Sequence, residues 1–160
     1  MSQALHHDDY LVAEGAIRAH LEAELADLSQ SAGLKVLSTA DLAGVTEGAQ
    51  HTPALHVIYM GDVVPQADAV DAGYHVLRQR WMVVVAVRNA RTQRSGQAVR
   101  EDAGPILSRV IRALSGWRPG AGLGGFARTS APAPAFTPGG FGYFPLQFET
   151  VLMTGTPSVD

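Results

Sequence analysis

Tyr74–Arg88 is the longest stretch of strand-favouring sequence in the chain, and its pattern changes along its length. One alternate set, Leu77, Gln79, Trp81, Val83, Val85 and Val87, is largely apolar throughout. The opposite set opens with Arg78 and Arg80 and then turns to Met82, Val84 and Ala86. Successive side chains of a strand point to opposite faces. The C-terminal half is therefore expected to be buried on both sides, while the first half projects past the sheet towards solvent or a neighbour. A strand covered on both faces needs other elements layered against it. Residues 81–87 are also the longest apolar run, far short of the roughly 18 residues that suggest a membrane span.

Helical periodicity covers residues 9–28, where Val12, Ala13, Ala16, Ile17, Leu21, Leu25 and Leu28 fall on neighbouring rows. Asp8 or Asp9 is placed to cap its start, and Gly33 to end the turn after it. A short strand is expected at 34–38, a helical turn at 39–45 capped by Thr39 or Asp41, and a strand at 54–60. Residues 61–73 form a polar connection of a length that is uncommon in a compact domain and usually functional or mobile. A second helix is read from Ser95 to Leu114, with a kink or break near Gly104 because Pro105 interrupts it. Glycine and proline crowd residues 119–145, leaving one strand near 125–130, and a final strand covers 144–153. The fold class is thus α+β. It has a mostly antiparallel four- to five-stranded sheet, two main helices on one face, and a long protruding β-hairpin over residues 54–88. A loose N-terminal arm is expected at 1–9, one domain at 10–154 and a C-terminal tail at 155–160.

With 46% hydrophobic and 17% charged residues, the composition is globular rather than disordered. There is no cysteine, which excludes disulfides, thiolate metal sites and a cysteine nucleophile. The formal net charge of -3 conceals a division. Residues 1–77 hold eleven acidic side chains against Arg18 and Lys35, whereas residues 78–128 hold ten arginines against Glu101 and Asp102. Two segments of opposite sign suggest contacts between copies or with a charged partner, or neutralisation within one fold.

Gly120 to Gly125 satisfies G-x-G-x-x-G, but a helix precedes it and a Pro/Gly loop follows. The nucleotide fingerprint needs the reverse order, strand then helix, so the stretch is read as loop. His6, His7, Asp8 and Asp9 lie on the arm, and His20, His51, His56 and His75 are dispersed, so no metal-ligand spacing emerges. Glu22 and Glu24 point to different helix faces. Glu101 and Asp102 suit the positive end of the second helix. With no nucleophile elbow either, the chain is expected to be no enzyme, with no catalytic, cofactor-binding or metal residue. Arg78, Arg80, Arg88, Arg91 and Arg94 form the densest basic group. Only Trp81 stands among them, which does not make a base-stacking platform, and guanidinium–carboxylate pairing with protein is favoured.

Pro53-Ala54-Leu55-His56-Val57-Ile58-Tyr59, Arg78-Gln79-Arg80-Trp81-Met82-Val83-Val84-Val85 and Arg88-Asn89 resemble the small bacteriophage tail terminator proteins. So do Gly104-Pro105, Gly116-Trp117-Arg118-Pro119 and the closing Tyr143-Phe144-Pro145-Leu146-Gln147-Phe148-Glu149. The likeness runs over about residues 10–154 in order.

The resemblance implies a virion protein, made in the host cytoplasm, that forms a ring, typically a hexamer, on the neck-proximal end of the tail tube. Such a ring ends tube polymerisation and joins the tail to the head or neck connector. Its implied partners are itself, the tail tube protein and the connector, with DNA passing through the lumen unread, and with no membrane and no cofactor. Head-to-tail rings need two different complementary patches on each subunit. On this reading Asp62, Asp68 and Asp71 face Arg78, Arg80, Arg88, Arg91 and Arg94 of an adjacent copy or partner, with residues 61–73 lining or capping the lumen. Another neck, adaptor or minor tail assembly protein is the alternative, followed by a small ligand-binding domain.

Overall fold

The computed structural model describes residues 9–48, 51–64, 74–89, 97–120 and 122–155. Among the described residues six strands form one sheet: β1 (Lys35–Ser38), β2 (Ala54–Val63), β3 (Tyr74–Arg88), β4 (Ala127–Thr129), β5 (Ala135–Phe136) and β6 (Phe141–Gly155). Four helices accompany them: α1 (Val12–Glu24), α2 (Ala26–Ala32), α3 (Leu42–Gly48) and α4 (Gln97–Leu114). The strand order is β1-β2-β3-β6-β4, with β5 also on β6. Only β1 and β2 run parallel, and every other pair is antiparallel.

The double-sided apolar run of β3 is explained by its position between β2 and β6. On one face Leu55, Val57, Trp81, Val83, Val85, Val87, Phe144, Leu146 and Phe148 pack against Ala13, Ile17 and Leu21 of α1 and Val99, Ala103, Val110 and Leu114 of α4. On the other face a smaller core joins Ala54, Ile58, Met82, Val84, Ala86 and Tyr143 to Val45 of α3. Gly142 is required where α4 meets β6: a Cβ there would overlap Val99 Cγ1 and lie 2.9 Å from Phe144 Cε2.

The long first helix expected over residues 9–28 is divided at Leu25, a buried residue at φ -111° and ψ 24°. Arg109, from α4, explains the break. It donates to Glu24 O at 2.8 Å and to both Asp27 carboxylate oxygens at 3.0 and 2.8 Å. A carbonyl left over at the division thus gains a cationic donor, and the Arg109 hydrogen bond holds the Asp27 carboxyl below its ordinary range. Gly33 closes α2 in the left-handed region (φ 71°), where glycine carries no Cβ penalty.

Asp41 accepts from Gly44 N–H at 2.7 Å and so caps α3, while Thr39 bonds His56 instead. Asp9 accepts from Leu11 N–H in the turn before α1. No break occurs near Gly104: α4 continues through Pro105. Pro105 and Glu101 are both exposed, so the carbonyl that proline cannot satisfy lies on the solvent side of the helix. The last strand begins at Phe141 and pairs with β3 along its entire length. The projecting end of the hairpin is therefore a three-stranded structure, with β6 beside it. β5, two residues within the Pro/Gly-rich region, was not anticipated.

Candidate assembly surface

α3 covers only one end of the sheet face that it packs on. Towards the far end, cross-strand rungs carry Val63, Arg78 and Val151, then Arg80, Glu149 and Ala127, then Ile58, Met82, Gln147 and Thr129. Met60 and Val63 are about two-fifths exposed, and Arg78 is exposed. This end of the face combines apolar and cationic side chains.

On the opposite face, Gln79 is fully buried yet satisfied. Its amide donates to Tyr10 O at 2.7 Å and its carbonyl accepts from Trp81 Nε1 at 3.3 Å. Tyr10 lies edge-on to Tyr59 at 6.2 Å, and Tyr59 in turn contacts Trp81 at 5.0 Å. Desolvation raises the Tyr59 phenol above its ordinary value, so it stays neutral and donates to the Tyr10 hydroxyl at 3.3 Å. These contacts place the start of α1 beside the outer part of β2.

The predicted charged residues do not form one cluster. Arg78 and Arg80 share a face near one end of β3, but Arg88 sits at the other end, about 26 Å from Arg80 at the usual strand rise. Arg80 pairs with Glu149 of its own sheet at 3.4 Å. Arg88 lies over the Phe141 ring, 4.9 Å from its centre, and donates to Gly139 O at 3.1 Å. Asp62 is exposed on β2, opposite Gln79, and so on the other face from Arg78. Asp68, Asp71, Arg91 and Arg94 lie outside the described residues.

The sheet has two open edges. β1 covers β2 only as far as Val57, whose carbonyl accepts from Thr39 N–H at 3.1 Å, and leaves residues 58–63 with no strand alongside among the described residues. At the opposite side β4 is outermost, and Pro132 and Pro134 follow it before β5. Arg128 projects from β4, exposed. Sequence reasoning missed it by concentrating on residues 78–94. A lone arginine in a short strand between glycine and proline was the available signal.

The remaining candidates have structural roles. His20 stacks on Trp117 at 4.2 Å and bonds Ala113 O at 2.9 Å. His56 Nδ1 bonds Thr39 Oγ1 at 2.7 Å while its Nε2 is buried without a partner, and burial lowers its pKa. The glycine loop is tied to β6: Gly124 N–H donates to Val151 O at 2.8 Å, and Thr150 Oγ1 donates to Gly124 O at 2.9 Å. Among the described residues no three His, Asp or Glu side chains gather as they would around a metal ion.

No curated protein matches the chain. Among solved structures, a chain from a structure titled "Virion of native gene transfer agent (GTA) particle" shares the fold, with a TM-score of 0.52 and 21% sequence identity. The alignment covers 91% of this chain and 99% of that one. The model of the family described as "Phage tail terminator protein" matches residues 7–157, which take in both helix layers and every strand. The chain belongs to the phage tail terminator protein family, a family of structural virion proteins and not an enzyme class.

Proposed function

We propose that this protein forms a ring, hexameric on the family pattern, at the neck-proximal end of the tail tube. There it stops tube polymerisation and joins the tail to the head connector. The observation that carries this reading is the family match over residues 7–157. The gene transfer agent chain of similar fold comes from a virion, which fits the same location. A head-to-tail ring requires two unlike patches on each subunit, and the exposed Asp62 and Arg78, of opposite sign and on opposite faces of the sheet, fit that requirement. Asp62, Asp68, Asp71, Arg78, Arg80, Arg88, Arg91 and Arg94 are proposed as contributors to contacts with a neighbouring copy, the tube or the connector. Arg78 is the strongest of those described, because it is exposed and holds no ion pair among the described residues.

The test is to add the purified chain to polymerising tail tube protein of the same virus. Negative-stain images are expected to show hollow rings, and tubes that stop growing with a ring at one end. Tubes that lengthen unchanged in the presence of excess chain would reject the reading.

A further inference from the structure

We propose that the open outer edge of β2, residues 59–63, pairs with the outer edge of β4 in a second copy of this chain, so that the sheet continues from one subunit to the next. This rests on the ring reading above and specifies how the ring is joined.

Proteins usually protect an exposed strand edge with charge, proline or a cover. Beyond Val57 the β2 edge has neither a covering strand among the described residues nor a proline, and it carries the exposed Met60 and Val63. On the opposite side Gly116 N–H and Trp117 O take the backbone groups of Phe126, just before β4. After β4, Pro132 and Pro134 lack the N–H groups needed to extend a ladder. This leaves a short stretch of β4 with no strand along its outer side among the described residues. A β2 edge guarded by the charge of Asp62 and the register shift before it and a short permitted stretch of β4 lie at opposite sides of one sheet. Two unlike patches of this kind join head to tail.

The strand directions agree. β2 and β6 both run antiparallel to β3, and β4 runs antiparallel to β6. β4 therefore opposes β2, and a rotated copy presents it for antiparallel pairing.

The backbone also agrees. In an antiparallel ladder, a residue that bonds the strand on one side turns away from the strand on the other. Val57 O faces outward to Thr39 N–H. Carried rung by rung through β3 and β6, including the shift between Tyr59 and Asp62, the alternation turns the backbone groups of Asp62 and of Arg128 outward at the two edges. They can form a hydrogen-bonded pair.

The side chains complete the match. Asp62 stands opposite Gln79 and Arg128 opposite Phe148, so both project on the helix-covered side of the sheet. Both are exposed, and neither has an ion pair among the described residues. Placing Asp62 against Arg128 brings opposite charges directly across the joint. The same register sets Val63 against Ala127, and Gly61 against Thr129, whose hydroxyl is buried without a partner.

Val63 and Ala127 would then form a non-hydrogen-bonded pair, the closer of the two kinds. The chain has no cysteine, so Val63→Cys combined with Ala127→Cys reports on this contact alone. After mild oxidation the double variant is expected to give a ladder of covalent multimers on a gel without reductant, and each single variant only monomer. Dimers from Val63→Cys alone would mean that β2 meets β2, and would overturn the pairing. A double variant that is multimeric by light scattering but uncrosslinked would overturn the pairing and leave the ring standing. A chain monomeric by light scattering at all concentrations would overturn both. Independently, Asp62→Arg is expected to abolish assembly at physiological salt, and adding Arg128→Asp to restore it. Unimpaired assembly in the first variant, or no recovery in the second, would overturn the pairing.

Discussion

Gln79 accepts the indole N–H of Trp81 from two positions away on the same strand, and both side chains are completely buried. The same amide donates to the backbone carbonyl of Tyr10, which couples a strand residue to the start of α1. Replacing Gln79 with methionine keeps the volume but leaves the Trp81 donor and the Tyr10 acceptor unpaired. The expected cost is about 1–3 kcal/mol, measured by urea unfolding followed by circular dichroism.

Gly142 and Val99 form a close approach between α4 and β6. Gly142→Ala is expected to lower stability by about 1–3 kcal/mol through overpacking. Val99→Ala also destabilises by opening space. Combined, the two substitutions should cost clearly less than the sum of the singles, because each relieves the other's defect. A double-mutant cycle in thermal unfolding checks this, and strict additivity would contradict it.

Burial holds the His56 imidazole below its ordinary value of 6.5. The unfolded chain therefore binds a proton more readily than the folded one between the folded pKa and 6.5. Stability from this group is full above pH 6.5 and is lost as pH falls towards the folded pKa, at no more than about 1.4 kcal/mol per pH unit. Comparing urea midpoints at about pH 7.5 and about pH 5.5 should show a decline that shrinks in His56→Leu.

Arg78 and Arg80 share a face but differ in what they hold. Arg78→Glu removes no ion pair seen among the described residues and should change stability by less than about 0.5 kcal/mol. Arg80→Glu places a like charge opposite Glu149 and should cost up to about 1 kcal/mol. Light scattering should show both weakening assembly, so Arg78→Glu separates the loss of assembly from the loss of stability.

The bounds of β3 were legible because its alternation is long, one side staying largely apolar while the other turns from arginine to apolar. The core-facing residues of α1 were legible for the same reason of periodicity. The division at Leu25 was not, because its cause is Arg109, which acts from α4 and leaves no local mark on residues 9–28. The candidate surface was only half legible. Asp62 and Arg78 could be named from charge, but a strand spreads its residues, and Arg88 therefore ends far from Arg80. The role of Arg128 depends on β1 stopping at Val57 and β4 being outermost, which are properties of pairing between distant segments.

The fifteen-residue register between β3 and β6 also has a mechanical consequence. Its hydrogen bonds lie perpendicular to the strands. A pull along the strand axis therefore loads the rungs in shear, all together, instead of unzipping them singly from one end. The central pair of strands is consequently stiffest along its own length, and that is the direction in which the subunit can best carry tension.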